Sequence, residues 1–202
     1  MAQQTVKRAL NVVVLLGTVR ENNMGSRAAK FMVNQLSSKG HQVKLLDPEV
    51  LDLPLLKKAL HHYQDRTQAP QLLQDTNQIL ADADAFVFVC AEYNHCLPPA
   101  LTNMVAHFPA TSFKYRPAGI VSYSMGPFGG QRAAMQARCL LGEIGCVSPS
   151  FLFAIPTIQT QLSETGEAVN DRMTSNADKL ITELEWYGTA IVNHKEAVGR
   201  PS

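Results

Sequence analysis

Short runs of apolar residues alternate along this chain with longer segments in which apolar residues recur every three or four positions. The short runs predict strands, and the longer periodic segments predict helices. Five such alternations are typical of an α/β domain with a parallel sheet that is covered by helices on both faces. The predicted strands are 11–16, 42–46, 85–90, 118–123 and 146–155, and the predicted helices are about 24–38, the segment after Pro70, the segment after Pro98, 130–144 and about 170–193.

One stretch, residues 47–69, fits neither pattern. It contains Pro48 and Pro54, and proline interrupts regular structure. We expect a short helical turn here, lying on the surface after the second strand. Its apolar side chains are four leucines, Leu53, Leu55, Leu56 and Leu60.

The composition is that of one globular domain. The chain has 202 residues, of which 46% are hydrophobic, and a chain of this size buries about 70% of the surface that it exposes when unfolded. We expect a single domain over residues 1–202 with its core at about 10–194. The formal net charge of +1 does not suggest a nucleic-acid-binding protein. The sequence has no run of about 18 apolar residues, so we expect no membrane span.

The start of the chain and the cysteines bear on localisation. Lys7 and Arg8 precede an apolar run, as in a signal peptide, but no small-residue cleavage site follows, so the run is expected to be the first strand. The four cysteines form no C-x-x-C pair and lack the spacing of a zinc or iron–sulfur site. We therefore expect reduced thiols and a cytoplasmic protein.

Three of the predicted strand-to-helix junctions carry unusual loops, residues 17–20, 91–99 and 124–130. In a parallel sheet the carboxyl ends of the strands lie at one edge, and ligands bind in the crevice outside that edge. The three loops are therefore expected to form one site.

The first loop has the groups of a phosphate site. The start of the first helix presents backbone N–H groups with a partial positive charge, and Thr18, Arg20 and Ser26 add hydroxyl and guanidinium donors. The loop is neither a Walker A sequence nor the dinucleotide-binding G-x-G-x-x-G pattern. Taken alone, it is equally consistent with a capped helix start and solvated arginines.

The second and third loops could hold a planar ring such as an oxidised flavin, whose edge carries hydrogen-bond acceptors and one donor. Asn94 is a candidate partner for that edge, and the glycines of the third loop allow close approach. Turn geometry and a helix start explain the same glycines. His95 is either a ring or substrate contact or a rim residue, and Cys96 is either a redox thiol or a small packing residue. His61 and His62 are expected to be solvated.

Together the three loops resemble the motifs of one family. The first is similar to G-S/T-x-R with a following Ser/Thr-Arg, the second to P-E-Y-N-x-S-x-P-x-x-L-K-N, and the third to S-x-G-x-x-G-G. Over about residues 10–155 the chain is thus similar to the NADPH-dependent FMN reductase family, the flavodoxin-like quinone, azo-dye and chromate reductases. The matching residues are Gly17, Thr18, Arg20, Ser26 and Arg27, then Glu92, Tyr93, Asn94, Pro98, Leu101 and Asn103, then Ser124, Gly126, Gly129 and Gly130.

The chain departs from this pattern at three positions of the second motif. Ala91, Cys96 and Thr102 stand where the family usually has proline, serine and lysine.

The resemblance implies a flavodoxin-like, doubly wound sheet of five parallel strands in the order 2-1-3-4-5, with FMN as cofactor. It implies an enzyme in which NADPH or NADH reduces FMN, which then passes two electrons to a quinone, an azo compound, free flavin or a metal oxyanion. The residues that it places at FMN are Thr18, Arg20, Gly25 and Ser26 around the phosphate, and Glu92, Tyr93, Asn94, His95, Ser124, Met125 and Gly126 around the ring. Met24 is a further expected cofactor-binding residue.

Two other functions would use the same loops. A flavodoxin-type electron carrier is usually strongly acidic to steer its partners, so the net charge of +1 favours the enzyme. A non-catalytic flavin-binding sensor needs the same binding residues and stays an alternative.

The segment after Pro98 carries an apolar stripe that fits either the core or an interface between copies of the chain. The resemblance implies a homodimer or homotetramer, with a small-molecule electron acceptor as the other partner. The stripe consists of Leu101, Met104, Val105 and Phe108.

Overall fold

Five parallel strands form one sheet in the order β2-β1-β3-β4-β5. The computed structural model describes residues 8–201, so Lys7, discussed above with Arg8, lies outside the described residues. The observed order confirms the predicted flavodoxin-like topology. The strands are β1 (Asn11–Leu16), β2 (Gln42–Leu46), β3 (Ala85–Ala91), β4 (Ala118–Tyr123) and β5 (Leu152–Ile155).

Helices cover both faces of this sheet. Two of them, α1 and α6, pack on one face, while α3, α4 and α5 pack on the other. The helix α2 is a single turn outside these layers. The bounds are α1 (Gly25–Ser38), α2 (Pro48–Leu51), α3 (Gln71–Asp82), α4 (Pro99–Ala106), α5 (Gln131–Glu143) and α6 (Asp171–Val198).

The strand β1 shows why the apolar runs are continuous. Val12 and Val14 belong to the core under α1 and α6, whereas Val13 and Leu15 belong to the core on the opposite face. Successive side chains of a strand point to opposite faces, so a strand that is buried on both faces needs an apolar residue at every position. All seven residues of β3 are buried for the same reason.

The fifth strand begins later than predicted, at Leu152, and within residues 146–151 Val147 forms an isolated parallel bridge with Pro117. Pro149 has no N–H to donate to a ladder. The Arg138 guanidinium instead donates to the carbonyl of Pro149 at 3.0 Å and to that of Ser150 at 2.6 Å. A side chain thus occupies carbonyls that a longer strand would have paired.

The irregular stretch 47–69 is only partly a surface turn. Leu55 is 82% exposed, but Leu60 is 1% exposed and belongs to the core under α3 and α4. The Leu60 N–H donates to the His107 carbonyl at 2.8 Å, and Asn103 Nδ2 donates to the carbonyl of Pro54 at 3.0 Å. The end of α4 therefore holds this stretch against the domain.

The apolar stripe of α4 is core. Leu101, Met104, Val105 and Phe108 are all 5% exposed or less and pack against the sheet of their own chain. Of the two alternatives for this stripe, the structure supports the core. An interface on α4 would have to use its outer face.

The four cysteines of the chain are free, with Cys90 and Cys146 buried and Cys96 and Cys139 exposed. Burial raises the pKa of both Cys90 and Cys146 to about 12. His61 and His62 are exposed, as expected. Over residues 8–201, no helix is long and apolar enough to cross a membrane.

Candidate functional site

The three loops meet at the carboxyl edge of the sheet and enclose a cleft of about 360 Å³. The first loop contributes residues 20–24, the second 91–93, and the third, with the end of β4, 123–125. Of the predicted site residues, the cleft is lined by Arg20, Met24, Glu92, Tyr93, Ser124 and Met125.

The other predicted residues surround this lining. Thr18 is 1% exposed and lies beneath the cleft, against Tyr93. Gly25 and Ser26 form the first turn of α1. On the second and third loops, Asn94, His95 and Gly126 are exposed.

Asn23, which the sequence analysis missed, caps the start of α1. Its Oδ1 accepts from the Ser26 N–H at 2.9 Å, and its carbonyl accepts from the Ser26 hydroxyl at 3.0 Å. Its Nδ2 donates to the Arg20 carbonyl at 2.9 Å and so fixes the loop before the helix. An asparagine three residues before a helical serine is a capping signal that the sequence already carried.

Arg20 extends over the second loop. Its guanidinium lies 3.7 Å from the centre of the Tyr93 ring, a cation–π distance. Its backbone N–H donates to Thr18 Oγ1 at 3.2 Å, and Thr18 Oγ1 also shares a short hydrogen bond with the Tyr93 hydroxyl. The phosphate-type loop and the ring-type loop are therefore joined at these three residues.

Arg27, the second arginine of the resemblance, faces away from the cleft. Its Nη1 donates to the Leu162 carbonyl at 3.1 Å, and its Nη2 lies 3.3 Å from Glu164 Oε1. It fastens the segment before α6 to α1, which is a structural role.

The second loop turns within two residues. Tyr93 and Cys96 exchange backbone hydrogen bonds of 3.0 and 2.9 Å. Between them Asn94 and His95 have φ values of 51° and 66°, as a type I′ turn requires. Gln136 of α5 donates to the His95 carbonyl at 3.2 Å. The turn thus presents Asn94 and His95 on a fixed tip.

Glu92 points at α5 rather than into the ring space. Its carboxylate accepts from the backbone N–H and Nη1 of Arg132, at 3.0 and 2.9 Å, and from the Ala133 N–H at 3.4 Å. Burial acts to raise the pKa of Glu92, but the hydrogen bonds from Arg132 and Ala133 outweigh it and hold the pKa below its usual value. Glu92 is ionised and holds the second loop to α5.

The third loop is held by the residues that follow β5. The Thr157 N–H donates to the Gly126 carbonyl at 3.0 Å. Ser124 Oγ donates to the same carbonyl at 2.9 Å and accepts from the Gly129 N–H at 2.9 Å. Met125 is 61% exposed at the mouth of the cleft. The loop is a fixed backbone that carries an exposed apolar side chain.

Tyr123, also missed from the sequence, lies behind the first turn of α1. A Cβ added to Gly25 would collide with its hydroxyl, so glycine is required there. Burial raises the pKa of Tyr123, and the nearby Tyr93 raises it further. A hydrogen bond with Thr18 lowers it by a smaller amount. Tyr123 therefore stays neutral and packs under the cleft.

The donor set of the cleft fits FMN. The Arg20 guanidinium lines the cleft on the first loop and α1 begins at Gly25 just after that loop; a guanidinium and a helix N-terminus are groups that bind phosphate. On the second and third loops are fixed backbone groups and amphipathic side chains, which suit a flat polar ring. Within residues 8–201 no cluster of metal ligands competes with this assignment.

Comparison with known proteins identifies the family of the chain. The family described as NADPH-dependent FMN reductase matches residues 10–160. A quinone reductase of Escherichia coli (strain K12) is 26% identical over 189 residues, which cover 90% of this chain and 95% of that protein. The NADH:(hydroxy)cinnamate reductase subunit CrdA of Vibrio ruber is 25% identical over 180 residues, 87% of this chain and 85% of that protein.

A solved structure shares the fold. FerB, a flavoenzyme NAD(P)H:(acceptor) oxidoreductase from Paracoccus denitrificans, superposes with a TM-score of 0.72 at 20% identity, over 90% of this chain and 98% of its own. The family match spans the sheet and all three loops, and it confirms the resemblance. The chain belongs to the NADPH-dependent FMN reductase family and is a flavin-dependent reductase enzyme of that class.

Proposed function

We propose that this protein binds FMN in the cleft and uses NADH or NADPH to reduce quinones. The observation that carries this proposal is the meeting of the three loops around one cleft, which Arg20 lines on the first loop, Tyr93 on the second and Met125 on the third. When bound, FMN would supply the redox chemistry, the transfer of two electrons from the nicotinamide to the acceptor.

The first loop would hold the phosphate. Arg20 lines the cleft and offers a charge-assisted donor, and the first turn of α1 at Gly25 and Ser26 adds the partial positive charge of a helix start. Asn23 fixes the distance between Arg20 and the helix, so these donors are arranged before a ligand arrives.

The second and third loops would hold the ring. Asn94 offers an amide at the tip of a fixed turn, and the third loop offers backbone groups around Gly126, where a side chain would meet no neighbour. Neutral donors at these places can stabilise the negative charge that the ring gains on reduction. Met125 at the mouth offers apolar surface to a flat acceptor.

Quinones are proposed as the acceptors because a relative over nearly the whole chain is named a quinone reductase. A second relative is named for (hydroxy)cinnamate, which is also a flat conjugated molecule. Azo compounds, free flavin and metal oxyanions are further candidates in an acceptor panel.

The electron-carrier alternative is disfavoured by the net charge of +1. A non-catalytic sensor would bind FMN but show no turnover. We also propose that the enzyme works in the cytoplasm as a single-domain homodimer or homotetramer.

Steady-state kinetics tests the proposal. NADH or NADPH is varied at several fixed concentrations of a quinone, using the purified FMN-loaded protein. One cleft that takes the nicotinamide and the quinone in turn predicts parallel double-reciprocal lines. Intersecting lines would contradict the shared site, and the absence of turnover with every acceptor would favour the sensor.

A further inference from the structure

The side chain of Tyr93 contacts the first loop, although the motif places this residue with the ring. Its hydroxyl shares a short hydrogen bond with Thr18 Oγ1, and its ring lies 3.7 Å beneath the Arg20 guanidinium. Both contacts are made to the first loop. Tyr93 lines the cleft, whereas Thr18 is 1% exposed.

This arrangement separates the groups that a ligand can reach from the groups behind them. Arg20 and Tyr93 face the cleft. Thr18 is covered by them, since it accepts from the Arg20 N–H at 3.2 Å and contacts the Tyr93 hydroxyl. A phosphate that enters the cleft meets the tyrosine before it meets the threonine.

The hydrogen bonds that join Arg20, Thr18 and Tyr93 can all be donated in one direction, toward the cleft. A hydroxyl donates one hydrogen and accepts others. The Arg20 N–H donates to Thr18 Oγ1, and the one Thr18 hydrogen can point to the hydroxyl of Tyr93 or to that of Tyr123. When it points to Tyr93, the Tyr93 hydrogen is available to the cleft. An anion selects this direction, because each donor in the chain is polarised by the one behind it.

We propose that the Tyr93 hydroxyl is a direct ligand of the FMN phosphate, and that Thr18 is a positioning residue that acts through Tyr93 and the Arg20 backbone. This inference rests on the proposed function and changes the assignment of two residues within it. It makes Tyr93 and Arg20 one phosphate-binding unit, with the aromatic ring holding the guanidinium in place.

The test compares FMN with riboflavin, which has the same ring but no phosphate. Tyr93→Phe keeps the ring beneath Arg20 and removes only the hydroxyl. We expect its FMN affinity, measured by flavin fluorescence titration, to fall roughly 10- to 150-fold, as for the loss of a hydrogen bond to a charged group. Riboflavin affinity is expected to stay within about twofold of wild type.

A matched control is available in the chain. Tyr63 carries Lys58 over its ring at 3.8 Å, and it lies outside the cleft. Tyr63→Phe should leave both flavin affinities unchanged.

Thr18 is substituted both in the wild-type protein and in the Tyr93→Phe variant. Thr18→Ser keeps the hydroxyl and should bind FMN like wild type, whereas Thr18→Val should weaken FMN binding by about 2- to 13-fold. In the Tyr93→Phe background the effect of Thr18→Val should shrink, because the residue through which Thr18 acts has lost its hydroxyl.

If Tyr93→Phe loses affinity for FMN and for riboflavin equally, the hydroxyl contacts the ring and the inference is overturned. An unchanged FMN affinity would overturn it as well. In either case a wild type that prefers FMN and reduces quinones would leave the proposed function standing. If the wild-type protein binds FMN no better than riboflavin, the phosphate assignment and this inference fail together.

Discussion

Glu92 and Arg132 join the second loop to the first turn of α5, with a 2.9 Å ion pair between side chains and a 3.0 Å hydrogen bond from the Arg132 backbone. A carboxylate at a helix N-terminus interacts favourably with the helix dipole. Because α5 begins where the third loop ends, this pair sets the spacing between the two loops assigned to the ring.

Glu92→Gln should lower the free energy of unfolding by about 1 kcal/mol at pH 7, because the amide keeps an acceptor but loses the charge. The pKa of Glu92 is lowered in the folded state, so its stabilising effect is present above the usual glutamate pKa of about 4.3. It is lost as the pH falls through the lower folded-state value. Urea unfolding of both proteins from pH 7 to 3 should therefore show converging stabilities. A constant difference would contradict this account.

Gly130→Ala should destabilise the protein. Gly130 has φ of +73°, and a Cβ there would lie 2.7 Å from the Tyr123 carbonyl oxygen. The left-handed conformation alone costs about 1–2 kcal/mol for alanine, and the collision adds to it. Gly142 in α5 is the matched control, because a Cβ there meets nothing within 4 Å. Thermal unfolding of the two variants measures the difference. Gly142→Ala should be neutral or stabilising, and an equal loss of stability in both variants would contradict this account.

Arg116→Met should cost about 2–4 kcal/mol of unfolding free energy, at roughly 1 kcal/mol per lost hydrogen bond. This arginine is 2% exposed, and its guanidinium donates to the carbonyls of Ala83 and Ser112 at 2.6 and 3.0 Å and to that of Ala81. Burial, with Arg200 nearby, lowers its pKa to about 10, so it is still charged at pH 7.

The half-buried Arg138 provides the comparison for Arg116. It also donates to backbone carbonyls, at Pro149 and Ser150, but water can replace it there. Arg138→Met should cost less than Arg116→Met in chemical denaturation, and the reverse order would show that burial does not decide the effect.

Arg20→Ala and Arg27→Ala separate the two arginines of the first motif. Arg20 lines the cleft, whereas Arg27 donates to Leu162 and Glu164. We expect Arg20→Ala to lose FMN affinity by about 10- to 150-fold, from a hydrogen bond of roughly 1.5–3 kcal/mol, and Arg27→Ala to keep it. Fluorescence titration with FMN and riboflavin measures both. A loss confined to Arg27→Ala would reverse the assignment.

Light scattering of the loaded protein should give at least twice the chain mass of 22.2 kDa. Leu55 is 82% exposed and lines a groove of about 230 Å³ against α4, so Leu55→Asp tests whether copies of the chain meet at this surface, and a shift to the monomer would locate the interface there. Leu101→Ala is the contrast, since Leu101 is fully buried in its own chain. It should lower stability by about 2–5 kcal/mol without changing the assembly. A monomeric wild type would exclude the homo-oligomer.

The strands were predictable because burial on both faces leaves a continuous apolar run, as in β3. The start of β5 was not, because it depends on Arg138, which belongs to another element. The same reason limits the site. The motifs located Arg20 and Arg27 together, but only the fold brings Leu162 to Arg27 and Thr18 to Tyr93. The type of each site residue could be read from the sequence, whereas the direction in which its side chain points depended on residues distant in the chain.

The side chains of Asn94 and His95 do not hold the backbone of the turn that they form. The Tyr93–Cys96 backbone hydrogen bonds and the Gln136 side chain hold it instead. Substitutions among residues that tolerate positive φ can therefore change what the tip offers to an acceptor while the scaffold stays the same. Asparagine, aspartate, histidine and glycine are such residues. A lineage of these enzymes could change its preferred acceptor at His95 with little cost to folding, whereas a change at Asn94 would also alter the contact proposed for the flavin ring.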